Sequence, residues 1–208
     1  MYRNSFDGLP EGYDINKPTV IIGKLPRTAV MGIFLFFVLV FNVFTYIIGG
    51  KQGMVNLFVK FASFLIPWFM FEAYLHEVCH WIAIRLTTGR DAEVIIHKLP
   101  YIIIHKYIKK EEDIHEEAVT FLPKDVYLNK FASIVSLLAP FVLIELLIIG
   151  IGFGLRFNVY VILALSLINI LSCSLDVIMA MVIFFKCDKS ALSSFERADD
   201  MRSYEMVK

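Results

Sequence analysis

Four stretches of apolar residues, each long enough to cross a lipid bilayer as a helix, limit what this chain can fold into. They run over about residues 30–48, 55–86, 131–153 and 159–185. A spanning helix needs about 20 apolar residues. Of the 208 residues, 58% are hydrophobic, which is well above the share in a soluble domain of average composition. The sequence therefore predicts an α-helical integral membrane protein with about four transmembrane helices.

Polar segments flank and divide these stretches and suggest the domain organisation. Residues 1–29 contain several glycines and prolines and are predicted to form an irregular N-terminal segment. Residues 30–186 make up the membrane domain, and residues 187–208 form a polar tail. Within the membrane domain, residues 87–130 are a polar insertion between the second and third predicted helices.

The insertion has the pattern of a small β-structure. Two β-branched runs lie on either side of Leu99–Pro100, which predicts a β-hairpin over residues 93–108. Residues 118–122 are a candidate third strand.

The distribution of lysine and arginine predicts the orientation of the helices. Four basic residues precede the first stretch, eight lie in residues 85–130 and five follow the fourth stretch. Lys51 and Lys60 lie near the short loop between the first and second stretches, and the short loop between the third and fourth contains only Arg156. Because basic residues are enriched in cytoplasmic loops, we predict a multi-pass protein of the cell membrane with both termini and the insertion in the cytoplasm.

The second apolar stretch contains a His-Glu-x-x-His motif formed by His76, Glu77 and His80. On an α-helix the two histidines are one turn apart and face the same way. Two imidazoles in this arrangement can hold one zinc ion, with the glutamate beside it as general base. Ionisable residues are costly within a bilayer, so their presence in an apolar stretch indicates a functional site.

A catalytic zinc ion usually has three protein ligands, so a further ligand is expected elsewhere in the chain. The carboxylates inside apolar stretches, apart from Glu77, are Glu72, Glu145 and Asp176. Glu72 lies one turn before His76, where we expect it to orient that histidine. The fourth stretch contains no lysine or arginine to pair with Asp176, which favours Asp176 as the third ligand, with Glu145 as the alternative.

The His-Glu-x-x-His motif, combined with Asn169 and Asp176 in the last stretch, resembles the site-2 protease class of intramembrane metallopeptidases. It is most similar to small bacterial zincin-type peptidases related to that class. The resemblance implies that His76, His80 and Asp176 bind zinc and that Glu77 activates the attacking water. It also implies that Asn169, which matches an asparagine of the class, helps to bind the substrate backbone.

The resemblance covers roughly residues 70–90 and 130–180 and has departures near the aspartate. Val177 follows Asp176, where the class has glycine, and Ser172 and Ser174 occupy positions where prolines are usual. These departures affect the expected substrate contacts more than the expected metal ligands.

We therefore predict a zinc-dependent intramembrane endopeptidase whose partners are the lipid bilayer and a membrane protein or peptide substrate. One alternative is a gluzincin-type membrane protease with Glu145 as the third ligand. Another is a non-catalytic membrane accessory protein that binds the metal structurally. A formal net charge of zero gives no indication of nucleic-acid binding.

Three cysteines are too few for a disulfide framework. Cys79 and Cys173 would approach each other if the second and fourth predicted helices meet at the zinc. We interpret both as small apolar residues that fill the core.

Overall fold

Helices account for most of the structure, a computed structural model that describes residues 4–14, 18, 20–21, 27–95, 119–121, 126–197 and 200–204. The helices of this part of the chain are α1 (Arg27–Thr88), α2 (Lys130–Gly154), α3 (Val159–Ser172) and α4 (Ser174–Lys186). The strands are β1 (Ser5–Asp7), β2 (Val20–Ile21), β3 (Glu93–Ile95), β4 (Val119–Phe121), β5 (Val126–Asn129), β6 (Leu192–Arg197) and β7 (Asp200–Tyr204).

Two helical segments among the described residues are long and apolar enough to cross a membrane. They are Leu35–Trp68 within α1 and Lys130–Gly154, which is α2. Helices α3 and α4 are bent by 56° at the break between them, and together they qualify as a third. The structure therefore confirms an apolar, mainly helical protein with two candidate spans, or three if the bent pair is one span.

Helix α1 is two helices joined at a sharp bend. Gly50 has non-helical dihedral angles, with φ at 58° and ψ at −151°. In a straight helix Thr45 and Gly53 would be about 12 Å apart along the axis. Here a Cβ atom on Gly53 would lie 2.5 Å from the carbonyl oxygen of Thr45. The bend falls at Gly49–Gly50, where the sequence predicts that the first spanning helix ends.

A five-stranded antiparallel sheet in the order β1-β5-β6-β7-β2 brings three distant polar segments together. Strands β1 and β2 come from the N-terminal segment, β5 from the end of the insertion, and β6 and β7 from the tail. The prediction of an irregular N-terminal segment is therefore wrong for these strands. Both terminal segments form strands because each finds a pairing partner far away in the chain.

The insertion also contributes a separate two-stranded sheet. Strand β3 pairs antiparallel with β4, so that Glu93 lies opposite Phe121 and Ile95 opposite Val119. Residues 118–122, the candidate third strand of the insertion, thus contain β4, which pairs with the first strand of the insertion, β3. The other half of the predicted hairpin, residues 101–108, lies outside the described residues.

The second half of α1 packs against α2 and α3 and carries the sequence motif into the interior. One buried cluster joins Cys79 of α1 to Ile144 and Ile148 of α2 and to Ile162 and Leu165 of α3. The outer surfaces of the helices expose large apolar side chains, for example Ile47 (75%), Ile66 (71%) and Phe153 (72%). Such surfaces are unusual for soluble proteins and are typical of contact with lipid.

Candidate metal centre

The second half of α1 holds the two histidines of the motif side by side. His76 and His80 are one helical turn apart, and their side chains project from the same face. Their Nε2 atoms lie 3.1 Å from each other. His80 lies about 12 Å and His76 about 18 Å before the end of α1 at Thr88, so the pair is well inside the helix.

Asp176 approaches the histidines from α4. The helical path breaks at Cys173, and α4 begins at Ser174, which places Asp176 in the first turn of the new helix. A carboxylate in this position is stabilised by the helix dipole. Its Oδ2 atom lies 2.9 Å from Nε2 of His76 and 3.7 Å from Nε2 of His80.

These three side chains bring their ligand atoms close enough together to share one metal ion. Tetrahedral zinc, with bonds of about 2.0–2.2 Å, holds its ligand atoms about 3.4 Å apart. The separations of 2.9, 3.1 and 3.7 Å lie on both sides of that value. Imidazole lone pairs and a carboxylate repel one another at such distances unless a proton or a cation lies between them. His76, His80 and Asp176 can therefore hold a metal ion.

The site is enclosed but not sealed. The side chains of both histidines are 12% exposed and that of Asp176 is 11% exposed. A small part of each ligand side chain is therefore accessible from outside the bundle. Apolar residues of the neighbouring cluster, including Cys79 and Leu75, pack close by on α1.

His80 is oriented by the backbone of α2. Its Nδ1 atom lies 2.8 Å from the carbonyl oxygen of Ser136. A carbonyl oxygen only accepts hydrogen bonds, so Nδ1 carries the proton in this contact and Nε2 of the neutral ring keeps its lone pair. Metal-binding histidines usually have such a partner on the second nitrogen.

His76 is oriented by a thiol. Its Nδ1 atom lies 3.5 Å from Sγ of Cys173, and this sulfur donates in turn to Oδ1 of Asn169 at 3.3 Å. The interpretation of Cys173 as an apolar filler is therefore wrong, because its sulfur has two polar neighbours. The sequence led us to expect that Glu72 orients His76. In the structure Cys173, and not Glu72, faces Nδ1 of His76.

Asn169 lies within the bundle, next to Glu145. It is fully buried, and its Nδ2 donates to Oε2 of Glu145 at 3.1 Å and to the carbonyl of Phe141 at 3.3 Å. The hydroxyl of Ser166 donates to the other oxygen of Glu145 at 2.5 Å. The structure thus brings Asp176, and not Glu145, to the two histidines. The substrate-binding role of Asn169 stays a prediction.

The two remaining acidic residues of α1 lie on either side of His76 in the chain. Glu77 follows it directly and is partly buried. Glu72 is fully buried. Ser172 and Trp68 face its carboxyl, but neither oxygen has a hydrogen-bond partner of good geometry among the described residues.

Sequence reasoning missed two contacts of the site, although each has a signal in the sequence. The Ser136 carbonyl lies four residues before Pro140, which has no N–H to donate to it within α2, so this carbonyl is free to pair with His80. Cys173 lies one helical turn after Asn169 and shortly before Asp176.

The chain matches no protein-family model. Comparison with curated proteins and with solved structures gives no significant match either. The geometry of the site therefore carries the functional conclusion.

Proposed function

We propose that the protein is a zinc-dependent intramembrane endopeptidase that hydrolyses a peptide bond in or next to a membrane segment. The observation that supports this most is the convergence of His76, His80 and Asp176 next to the motif glutamate, within a bundle whose outer surface is apolar. Two imidazoles and one carboxylate are the ligand set of many catalytic zinc sites, which keep a further position open for water.

The chain's own residues supply the remaining chemistry. When bound, the ion would acidify a water molecule and polarise the carbonyl group of the scissile peptide bond. Glu77 takes the proton of the attacking water and transfers it to the leaving amine. Nδ1 of His80 faces the Ser136 carbonyl and Nδ1 of His76 faces Cys173, so Nε2 of each ring is left to hold the ion when it is bound.

The sheet supports a multi-pass arrangement with both terminal segments on one side of the membrane. Strands cannot pair across a bilayer, so β1, β5 and β6 must lie on the same side. The number of crossings between β2 and β5 is then even, as is the number between β5 and β6. The two halves of α1 provide two crossings, α2 provides the third, and the bent pair α3–α4 provides the fourth. The distribution of lysine and arginine assigns the sheet to the cytoplasm.

The test compares purified wild type with Glu77→Gln, Asp176→Asn and Glu145→Gln variants. Bound zinc is measured by elemental analysis, and cleavage is measured with a panel of transmembrane reporter peptides in detergent micelles. We expect Glu77→Gln to keep zinc and lose cleavage by at least about 100-fold, as is typical for loss of a general base. Asp176→Asn should lose most of the zinc, whereas Glu145→Gln should keep it.

Each alternative predicts a different outcome. Zinc retained by Asp176→Asn and lost by Glu145→Gln would favour a site with Glu145 as the third ligand. A Glu77→Gln variant that is as active as the wild type would contradict a peptidase and favour a protein that uses its metal structurally.

A further inference from the structure

We infer that Cys173 is a positioning residue, because its thiol joins His76 to a hydrogen-bonded relay that starts at Glu145 and passes through Asn169. The relay determines which ring nitrogen of His76 faces the metal. This inference deepens the proposed function and depends on the metal centre described there.

The relay begins at a carboxylate whose two oxygens both accept hydrogen bonds. Ser166 donates to Oε1 of Glu145 and Asn169 donates to Oε2. The atom of Asn169 that faces Oε2 is the amide nitrogen, which can only donate. Asn169 is therefore the donor in the first bond of the relay.

The amide of Asn169 carries this direction onward. Its nitrogen also faces the carbonyl oxygen of Phe141, a group that can only accept. With the nitrogen fixed by two acceptors, Oδ1 points the other way, towards Sγ of Cys173 at 3.3 Å. The thiol proton of Cys173 is thus directed to Oδ1, because that oxygen can only accept.

The sulfur of Cys173 then presents a lone pair to His76. The Nδ1–H of His76 donates to it at 3.5 Å, which is a reasonable distance for a bond to sulfur. With the proton on Nδ1, the neutral ring leaves Nε2 free to bind the metal beside Asp176. Every bond in the relay has its donor on the side of His76 and its acceptor on the side of Glu145. Hydrogen bonds aligned in this way strengthen one another in a medium of low polarity.

The two histidines are consequently held by different kinds of partner. The partner of His80 is a backbone carbonyl, which no side-chain substitution removes. The partner of His76 is a side chain with a weaker acceptor, and it can be removed by mutation. Cys173 lies at the break between α3 and α4, so the same turn that positions Asp176 also positions His76.

The experiment measures metal affinity, with no substrate, in Cys173→Ala, Cys173→Ser and the wild type. Competition with a chelator gives the affinity for zinc, and the visible absorption of bound cobalt reports the ligand geometry. Cys187→Ala is the matched control, because Cys187 is another buried cysteine and packs in a separate cluster.

We expect Cys173→Ala to bind zinc about 10- to 100-fold more weakly, as is usual when the partner of a ligating histidine is lost. Serine offers both a donor and an acceptor on a shorter side chain, so Cys173→Ser should recover part of the affinity. Cys187→Ala should bind zinc as the wild type does. The cobalt-loaded wild type should lack a sulfur-to-metal charge-transfer band, because Cys173 lies on the far side of the ring from the metal.

Unchanged affinity of Cys173→Ala, in a protein whose wild type binds zinc, would overturn this inference and leave the proposed function intact. A sulfur-to-cobalt band in the wild type would also overturn it, since Cys173 would then be a ligand. Absence of metal binding in the wild type would overturn both.

Discussion

Glu72 and Glu145 are two buried carboxyl groups of one helical bundle, and their surroundings differ in hydrogen bonding. Glu145 accepts hydrogen bonds from Ser166 and Asn169. Glu72 is fully buried, and neither oxygen has a partner of good geometry in the described part of the chain. A buried carboxyl without hydrogen bonds is destabilising, whereas one with two donors is largely compensated.

Replacing each glutamate with methionine should therefore change stability in opposite directions. Glu72→Met removes an unsatisfied group and should raise the free energy of unfolding by about 1–3 kcal/mol. Glu145→Met leaves the donors of Ser166 and Asn169 without a partner and should lower it by a similar amount, about 1–3 kcal/mol. Unfolding in detergent with a metal chelator present checks both signs without a contribution from the metal. A loss of stability in Glu72→Met would show that its carboxyl has a compensating partner.

At the residue scale, the sequence could predict that His76, His80 and Asp176 come together. It could predict only some of the contacts that these three side chains make with their neighbours. His76 and His80 follow from helical spacing, and Asp176 follows from the cost of an unpaired carboxylate in an apolar stretch. The spacing of Cys173 from Asn169 and Asp176 is visible in the sequence, but its contact with His76 depends on the rotation of α3 against α1. The separation of Glu145 from the histidines depends on the same packing.

At the scale of elements, Gly50 determines the shape of α1. Its dihedral angles lie in a region that is essentially restricted to glycine. No heavy atom lies within 4 Å of the place where a Cβ would be, so the space around it is open. Any cost of a side chain at this position must come from the backbone alone.

Gly50→Ala should therefore lower the free energy of unfolding by about 1–3 kcal/mol, the usual strain of a non-glycine residue in such a conformation. Gly150 of α2 is the control, because it is in a regular helix and a Cβ there also meets nothing within 4 Å. Gly150→Ala should be neutral or stabilising by up to about 1 kcal/mol. Unfolding monitored by circular dichroism in micelles compares the two, and equal effects would contradict the assigned role of the bend.

The helices could be predicted well because long apolar stretches leave few alternatives to helix. The strands of the N-terminal segment could not be predicted. Strand β1 has 3 residues and β2 has 2, which is too short for an alternating pattern. Such strands form because a distant segment pairs with them, and intrinsic preference contributes little.

At the scale of the whole molecule, the sheet and the helices together predict which loops share a side of the membrane. Single cysteines in place of Glu11 and Lys189 lie near the sheet, whereas those in place of Lys51 and Arg156 lie at the far ends of the helices. All four positions are exposed. The three native cysteines are buried, so they should react slowly.

A membrane-impermeant thiol reagent added to sealed vesicles should label the first pair from one side and the second pair from the other. The proposed four-crossing topology requires this division, because an even number of crossings separates the members of each pair and an odd number separates one pair from the other. Labelling of Glu11→Cys and Lys189→Cys from opposite sides would contradict it, and denatured vesicles serve as the control for complete reaction.

The order of strands in the sheet has a consequence for biosynthesis. Strand β2 pairs only with β7 within the sheet, and β7 spans residues 200–204, so β2 must wait for almost the whole described chain to be translated. Asp176 likewise emerges from the ribosome long after His76 and His80. A nascent chain therefore carries two histidines without their aspartate while it is being inserted. The group that could hold a metal ion becomes complete only when the last helix is being made. Under the proposed function, this order would keep an unfinished chain from cleaving proteins near its own insertion site.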